Sequence, residues 1–328
     1  MKQVQQTFTG DIIWEPLYQI ETPVVPFEIE LFQSATLRRL KHLHHFGAGA
    51  LISPITHSRF EHTVGVWSLT KFFFPEWREL HAAAILHDIG HLPFSHSVEK
   101  SLGKNHHLLT EANISSFPVR NILEKHSLNP SQIIDLLNQN TPLSSKSDGI
   151  SIDHFDSFMR DTYGAGEYII HPAILIKKIN FYNNVIDTDE NTAIHILDAV
   201  IKDNRIFLNP HFLAMDELLS RAIILFSEEN PEIYKTIDQM TDYQLLSMLE
   251  GSVSGIVKEL INVLVNEPHR VTICKNSDQG EFKAEVRKVY NKQPFVNGIP
   301  IDKVLPEVRQ KILELDALCQ TYRFDIKN

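Results

Sequence analysis

The stretch Glu76-Trp-Arg-Glu-Leu-His-Ala-Ala-Ala-Ile-Leu-His-Asp-Ile-Gly-His91 decides how this chain is read. Its middle, Ala82 to Leu86, is apolar on every side, the mark of a helix buried in a protein interior. Pro75 stands before it and Gly90 behind it, so the pattern predicts a helix over 76–89. His87 and Asp88 fall at its end. An imidazole nitrogen and a carboxylate oxygen placed there can reach one ion, held rigid by the apolar helix, while Gly90 lets the chain turn closely past them. Taken alone, the same pair could simply cap a surface helix.

Two further stretches give the pair company. Upstream, Thr56-His-Ser-Arg-Phe-Glu-His-Thr-Val-Gly-Val66 sets Arg59 and His62 three residues apart on one helical face. A metal ligand beside a guanidinium can grip one phosphate together with it. Downstream, Asp153-His-Phe-Asp-Ser-Phe-Met-Arg-Asp161 places Asp153, Asp156 and Arg160 on one stripe, with Asp161 close by, while Phe155, Phe158 and Met159 point elsewhere. Eleven of the 17 histidines lie between positions 42 and 107. Histidine serves both as a metal ligand and as a proton carrier near neutral pH.

The rest of the chain narrows the class. Its 328 residues suffice for one large domain, or for a catalytic domain with an appendage. Only 13 glycines are present, and long stretches without Gly or Pro favour helices. The alternating Asp11–Pro26 stretch, Phe181–Ile186 and Val271–Cys274 are the candidates for strands, and helices are expected over 28–46, 56–74, 130–137, 151–163, 190–203, 213–227 and 303–317. The composition changes after Asn230-Pro231, which sets a soft boundary between a 1–228 domain and a mostly helical 229–328 accessory region. A formal charge of −10 argues against a duplex nucleic acid partner. A small anionic substrate fits better, because 31–60 hold no carboxylate but do hold Arg38, Arg39, Lys41 and Arg59. Two cysteines form no metal or disulfide pattern, the N-terminus shows no signal-peptide core, and no run is long enough to span a bilayer; a cytoplasmic protein is expected. A homo-oligomer is compatible with the sequence, which does not set the oligomeric state.

Together, Leu37–Leu43, His57–Val66, Ala83–His96 and Ile152–Asp161 resemble the HD-domain metal-dependent phosphohydrolases, and within them the deoxynucleoside triphosphate triphosphohydrolase branch. The resemblance covers about residues 30–228, with the motifs in the family's order. It implies a mostly α, HD-domain helical bundle with a small β element and a helical C-terminal appendage. It implies one divalent metal ion (Mn, Fe, Ni, Mg or Zn, with manganese the natural first probe) on His62, His87, Asp88 and Asp153. His91, His96 and His106 match histidines of the family's active site, with His107 a competitor of His106 for the catalytic role. Arg59 matches a phosphate contact, Asp161 a residue near the sugar, and Arg38, Asp156 and Arg160 fall in the stretches that bind substrate. Two positions depart from the family: Arg38 replaces a glutamine that contacts the sugar, and Ser157 replaces a tyrosine that packs under the deoxyribose. The expected activity is hydrolysis of a nucleotide phosphoester, with a triphosphate favoured. A phosphomonoesterase, a cyclic phosphodiesterase or a nucleotide-binding regulatory module without turnover are the alternatives on the same scaffold.

Overall fold

The computed structural model describes residues 5–274, 280–286 and 288–327. The fold is mostly helical with small sheets. The buried helix read from sequence spans Arg78–Leu86, with Leu80 to Leu86 all removed from solvent. It packs on Arg59–Phe73, which starts at a capping box: Ser58 accepts from the Glu61 N–H and the Glu61 carboxylate accepts from the Ser58 N–H. Ile152–Gly164 lies against Arg59–Phe73 and buries Ile152, Phe155, Phe158 and Met159, so its acidic stripe turns towards His62.

Other elements follow local rules with local corrections. The opening stretch is an antiparallel hairpin, Ile12–Glu15 with Ile20–Pro23. The helix expected over 28–46 is broken, since Ser34 ends Pro26–Gln33 and caps Ala35–Arg39. Asn129 caps Pro130–Asn138 as the Asn-Pro pair predicts. The strand expected at 181–186 is two strands, Asn180–Tyr182 and Val185–Asp187, turning at Asn183 and Asn184, both with positive φ. Pro306 divides the closing helix into Ile301–Val304 and Pro306–Leu313.

Past residue 230 the chain adds helices, including Asp242–Glu250 and Gly255–Val265, and a three-stranded sheet in which Thr321–Ile326 is central. That last strand, Thr-Tyr-Arg-Phe-Asp-Ile, alternates polar and apolar residues over its whole length, a strand signal that the sequence reading passed over. The apolar clusters run across the compositional boundary. One joins Leu92, Phe94, Leu218 and Ile223 to Leu245, Leu260 and Leu264, and another joins Ala193 and Leu197 to Val296 and Ile301. No helix among the described residues is long and apolar enough to cross a membrane.

A candidate metal centre and a second histidine cluster

Three segments bring four side chains together. His62 comes from the Arg59–Phe73 helix, His87 and Asp88 from the end of Arg78–Leu86, and Asp153 from the first turn of Ile152–Gly164. His62 Nε2 is 3.1 Å from Asp153 Oδ1, 3.2 Å from His87 Nε2 and 3.8 Å from Asp88 Oδ2; His87 Nε2 is 3.5 Å from Asp88 Oδ1 and 3.7 Å from Asp153 Oδ1. Ligands about 2.0–2.1 Å from an ion stand about 3.0–3.4 Å apart, so most of these separations are edges of a coordination shell or slightly longer.

The protonation pattern tests whether the residues fit a cation. His62 Nδ1 lies 2.8 Å from Asp156 Oδ2, and His87 Nδ1 lies 2.8 Å from the Ala84 carbonyl oxygen. Each ring donates its Nδ1 proton outward, leaving both Nε2 lone pairs facing each other and the carboxylates. Two lone pairs 3.2 Å apart need positive charge between them. Burial would push the His62 imidazolium down, yet hydrogen bonds to Asp153 and Asp156 lift it to about 9. The donor set thus demands a cation, which a proton or a metal ion can supply.

The structure separates the expected substrate residues from one another. Arg59, almost fully buried, donates from Nη1 to Asp88 Oδ2 at 2.8 Å and from Nε to Ser95 Oγ at 2.8 Å, which keeps its guanidinium at the edge of the cluster. Asp156 and Arg160, expected at the substrate, lie behind His62 instead. Asp156 is fully buried, paired with Arg160 through both oxygens, and Arg160 in turn pairs with Glu15. Their position is fixed by Gly65, where a Cβ would stand 2.1 Å from both Arg160 Nη2 and Asp156 Oδ1. Arg38 also points away: it donates to the Gln6 carbonyl and its guanidinium lies 4.8 Å over the Phe60 ring. Its neighbour Arg39 is the inward one, donating to the Ile89, His91 and Met240 carbonyls. Asp161 is buried near His57 and His45, at 3.4 and 3.6 Å, and its carboxyl is pushed up by burial, with Asp203 its acidic neighbour. The exposed Tyr163 stacks on Tyr168 at 4.9 Å between ring centres.

His91, His96 and His106 meet in a second cluster around Glu99, a residue the sequence reading passed over. Glu99 Oε1 lies 2.8 Å from His106 Nδ1, 3.2 Å from His96 Nδ1 and 3.7 Å from His91 Nδ1. Burial pushes the Glu99 carboxyl up, but His106 and His96 hold it well below the usual carboxylate range. The only local hint was its place three residues after His96. His107 is exposed on the same helix turn, its ring 4.0 Å from that of His106. Two contributions from beyond residue 230 had no sequence signal at all. Asp242 accepts hydrogen bonds from the Phe94 and His44 N–H groups at 2.6 and 2.7 Å, fixing a loop in which Phe94 and Ser95 both have positive φ. Tyr290 places its ring 6.3 Å from that of His154; burial raises its hydroxyl, and Arg59, Asp203 and Asp153 act on it electrostatically.

A helical bundle that gathers two imidazoles and two carboxylates from an H…HD…D pattern defines a class of metal-site protein. Residues 59–179 match the family model described as the HD domain. The chain is 24% identical over 273 residues to a metal-dependent phosphohydrolase of Cordyceps militaris, covering 78% of each. It is 26% identical over 250 residues to an uncharacterized protein of Methanocaldococcus jannaschii, of which it spans about half (54%) while using 71% of its own length. Its fold matches the crystal structure of a phosphohydrolase from Bacteroides thetaiotaomicron with a TM-score of 0.74 at 15% identity, over 97% of this chain and 100% of that one. Residues 59–179 of the chain are thus similar to the HD domain, and the fold is HD-like, mostly helical with small sheets.

Proposed function

We propose that this protein hydrolyses a phosphoester of a small anionic nucleotide, a ribo- or deoxyribonucleoside triphosphate, using one divalent ion held by His62, His87, Asp88 and Asp153. The observation that carries the reading is the pair of inward Nε2 lone pairs facing Asp153 and Asp88, with Arg59 bonded to the same aspartate. An ion held there supplies Lewis-acid polarisation of a phosphoryl oxygen and an acidified water. Arg59, held at the edge of the cluster by Asp88 and Ser95, would grip a phosphate oxygen through its planar fork. The departing oxygen receives its proton from the Glu99-braced histidines: His106 as donor, with His91 and His96 beside it and His107 at the rim. Asp156 and Arg160 act by orienting His62 rather than by touching substrate.

The branch and the sugar follow from smaller features. Arg38 faces away and adds no charge to the site, so charge selectivity rests on Arg59 and on Lys288 and Lys292, which act electrostatically on nearby His154. Ser157 is a small residue where the family has a tyrosine, and the exposed Tyr163 is stacked on Tyr168. The site therefore accepts both sugars. The test is a screen with Mn²⁺ across dNTPs, NTPs, monophosphates and cyclic nucleotides, with kcat/KM for matched pairs. We expect dNTP and NTP values within about tenfold of each other; a deoxy preference of about a hundredfold or more refutes the relaxed sugar site. Cleavage of monophosphates or cyclic nucleotides alone moves the protein to the phosphomonoesterase or cyclic phosphodiesterase class, and tight binding without turnover makes it a sensor.

A further inference from the structure

We propose that residues 288–293 form a recognition strap for the nucleoside end of the substrate, with Tyr290 its contact residue and Asn204 the residue that positions it. The inference deepens the phosphohydrolase reading, on which it rests for the chemistry beneath the strap. The segment comes from the accessory region, and its backbone is fastened on both sides of Tyr290. Asn204, 1% exposed on the Glu190–Phe207 helix, grips Tyr290 twice. Its Oδ1 accepts from the Tyr290 N–H at 2.8 Å, and its Nδ2 donates to the Tyr290 carbonyl at 2.9 Å. Val289 is buried in the apolar cluster that holds Ala193, Leu197 and Ile201 of that helix. Further on, the Lys292 ammonium donates to the Ser145 and Ser147 carbonyls, and the Gln293 N–H donates to the Asp148 carbonyl at 2.8 Å. Residues 145–148 lead into the Ile152–Gly164 helix, which carries Asp153.

The fastening aims Tyr290 at the candidate centre. Lys288 and Tyr290 are exposed on either side of the buried Val289, so the strap anchors through one residue and presents its neighbours. The Tyr290 ring lies 6.3 Å from that of His154, tilted by 53°. Between Ser151 and Thr162 only Asp153, His154 and Ser157 are not buried. Ser157 is four residues from Asp153 and three from His154, so the three share one helix face. Tyr290 therefore stands at the stretch of that helix which solvent reaches. Its hydroxyl makes no hydrogen bond among the described residues. Burial raises it, Arg59 acts to lower it, and Asp203, Asp153 and Glu99 act to raise it further. Those four come from different walls of the site, so the phenol reaches inward from the rim.

A purely structural clasp needs none of this. Val289 and the backbone bonds of Tyr290 and Gln293 already close the loop, and any side chain at 290 leaves them intact. What stands there is a flat apolar ring, 39% exposed, with a polar tip. Such a ring suits a sugar or a base, because every base offers a flat face to stack on. The phosphate end of a substrate belongs deeper, at Arg59 and the four metal-ligand candidates. The part that projects outward from there meets Tyr290. Lys288, whose Nζ lies 5.8 Å over the Tyr290 ring, is the charged counterpart at the rim. It distinguishes two kinds of recognition: a lysine senses the charge of any polyphosphate, whereas the ring senses only a ligand that carries a nucleoside.

The experiment measures binding apart from turnover. Full-length protein is titrated by calorimetry with ATP, dATP and inorganic triphosphate, with Ca²⁺ replacing Mn²⁺ and chromatography confirming that the nucleotide stays intact. The wild type should bind both nucleotides more tightly than triphosphate. Tyr290→Ala should weaken the nucleotides by about 5–100-fold and triphosphate by less than about twofold. Tyr290→Phe keeps the ring and should stay within about tenfold of the wild type. Lys288→Ala should weaken all three probes alike. Asn204→Ala should weaken nucleotide binding in the wild type and add little to Tyr290→Ala, because it acts through Tyr290; circular dichroism confirms the fold. Additive losses overturn the role of Asn204. Wild-type nucleotide affinity in Tyr290→Ala, an equal loss for triphosphate, or no nucleotide binding by the wild type overturns the strap. Tyr290-dependent binding without turnover in Mn²⁺ supports the strap and sinks the phosphohydrolase reading. Turnover with an unchanged KM in Tyr290→Ala does the reverse.

Discussion

The histidine centre between residues 59 and 161 and the segment after Asn230 both shape the site, but they do so in opposite ways. The first contributes the groups that the proposed chemistry requires, and their types and spacing can be read in the sequence: His62, the His87-Asp88 pair, Asp153. The second contributes single residues that hold the first in place. Asp242 ties the Phe94–Ser95 turn to the His44 backbone, and Ser95 then accepts from Arg59. Tyr290 enters the electrostatic neighbourhood of Arg59 and Asp153 from a loop. Reacting groups leave a motif because chemistry restricts their type and spacing; supporting groups need only be somewhere on the surface that closes over them.

The strongest way to break this contrast is to remove a group from the first region. Asp88→Ala deletes a ligand, frees Arg59 from its 2.8 Å partner and strips the His91 ring of its support. Elemental analysis should show loss of the ion assigned to His62, His87, Asp88 and Asp153, and turnover should fall to background, because no neighbouring carboxylate can replace the missing edge. Equal metal content in variant and wild type would remove Asp88 from the ligand set. The next effect is one of catalysis. His106→Ala should lower turnover by about 10²–10⁴-fold while the Asp153-dependent ion stays bound. His107→Ala, whose ring lies exposed beside it, should cost much less; the reverse order would move the proton donor one residue along.

How much could be read in advance follows the same division. The helical class, the buried 78–86 helix and the Asn129 cap were legible because they depend on neighbours in sequence, whereas the helix expected from 56 starts only after the Ser58 cap. Where Arg38, Asp156 and Arg160 sit was not, because helix phase decides it. Arg38 and Arg39 are consecutive, about 100° apart around a helix axis, and only the packing shows that Arg39 faces the HD turn while Arg38 covers Phe60. Asp156 and Arg160 share a stripe with Asp153, yet lie deeper along it, close against Gly65, and so became supports. Glu99 left only a spacing of three from His96, which exposed ion pairs also show.

Asp242 tests the second region directly. It is almost fully buried, and its removal leaves two backbone N–H groups without a partner. Each costs about 1–3 kcal/mol, so Asp242→Ala should lower the melting temperature clearly. If the contact also positions the Phe94–Ser95 turn, kcat/KM should drop by roughly tenfold through Arg59, a loss of about 1.4 kcal/mol in transition-state binding. Asp242→Asn, which keeps one acceptor oxygen, should recover part of both. A destabilised variant with unchanged kcat/KM would show that the C-terminal segment only stabilises the fold.

The smallest effect concerns the seam between the two regions and is read through pH. Asp216, on the Pro210–Glu229 helix, accepts from Ser97 Oγ at 2.6 Å and from the Ala48 N–H at 3.0 Å. Burial pushes its carboxyl up to about 6, against the lowering effect of those two hydrogen bonds. A carboxyl raised on folding favours the folded state most when protonated, so its contribution is complete below the unfolded value of 3.8 and is lost as pH rises through about 6. The loss amounts to about 1–3 kcal/mol, allowing for partial solvent screening of a side chain in this seam. Asp216→Asn keeps an acceptor oxygen for Ser97 and Ala48 but cannot ionise. Its melting temperature relative to the wild type should therefore rise between pH 4 and pH 8, whatever its sign at the acid end. A difference that stays flat over that range would mean that Asp216 titrates as an ordinary surface carboxylate and that water enters the seam between the histidine centre and the C-terminal cluster.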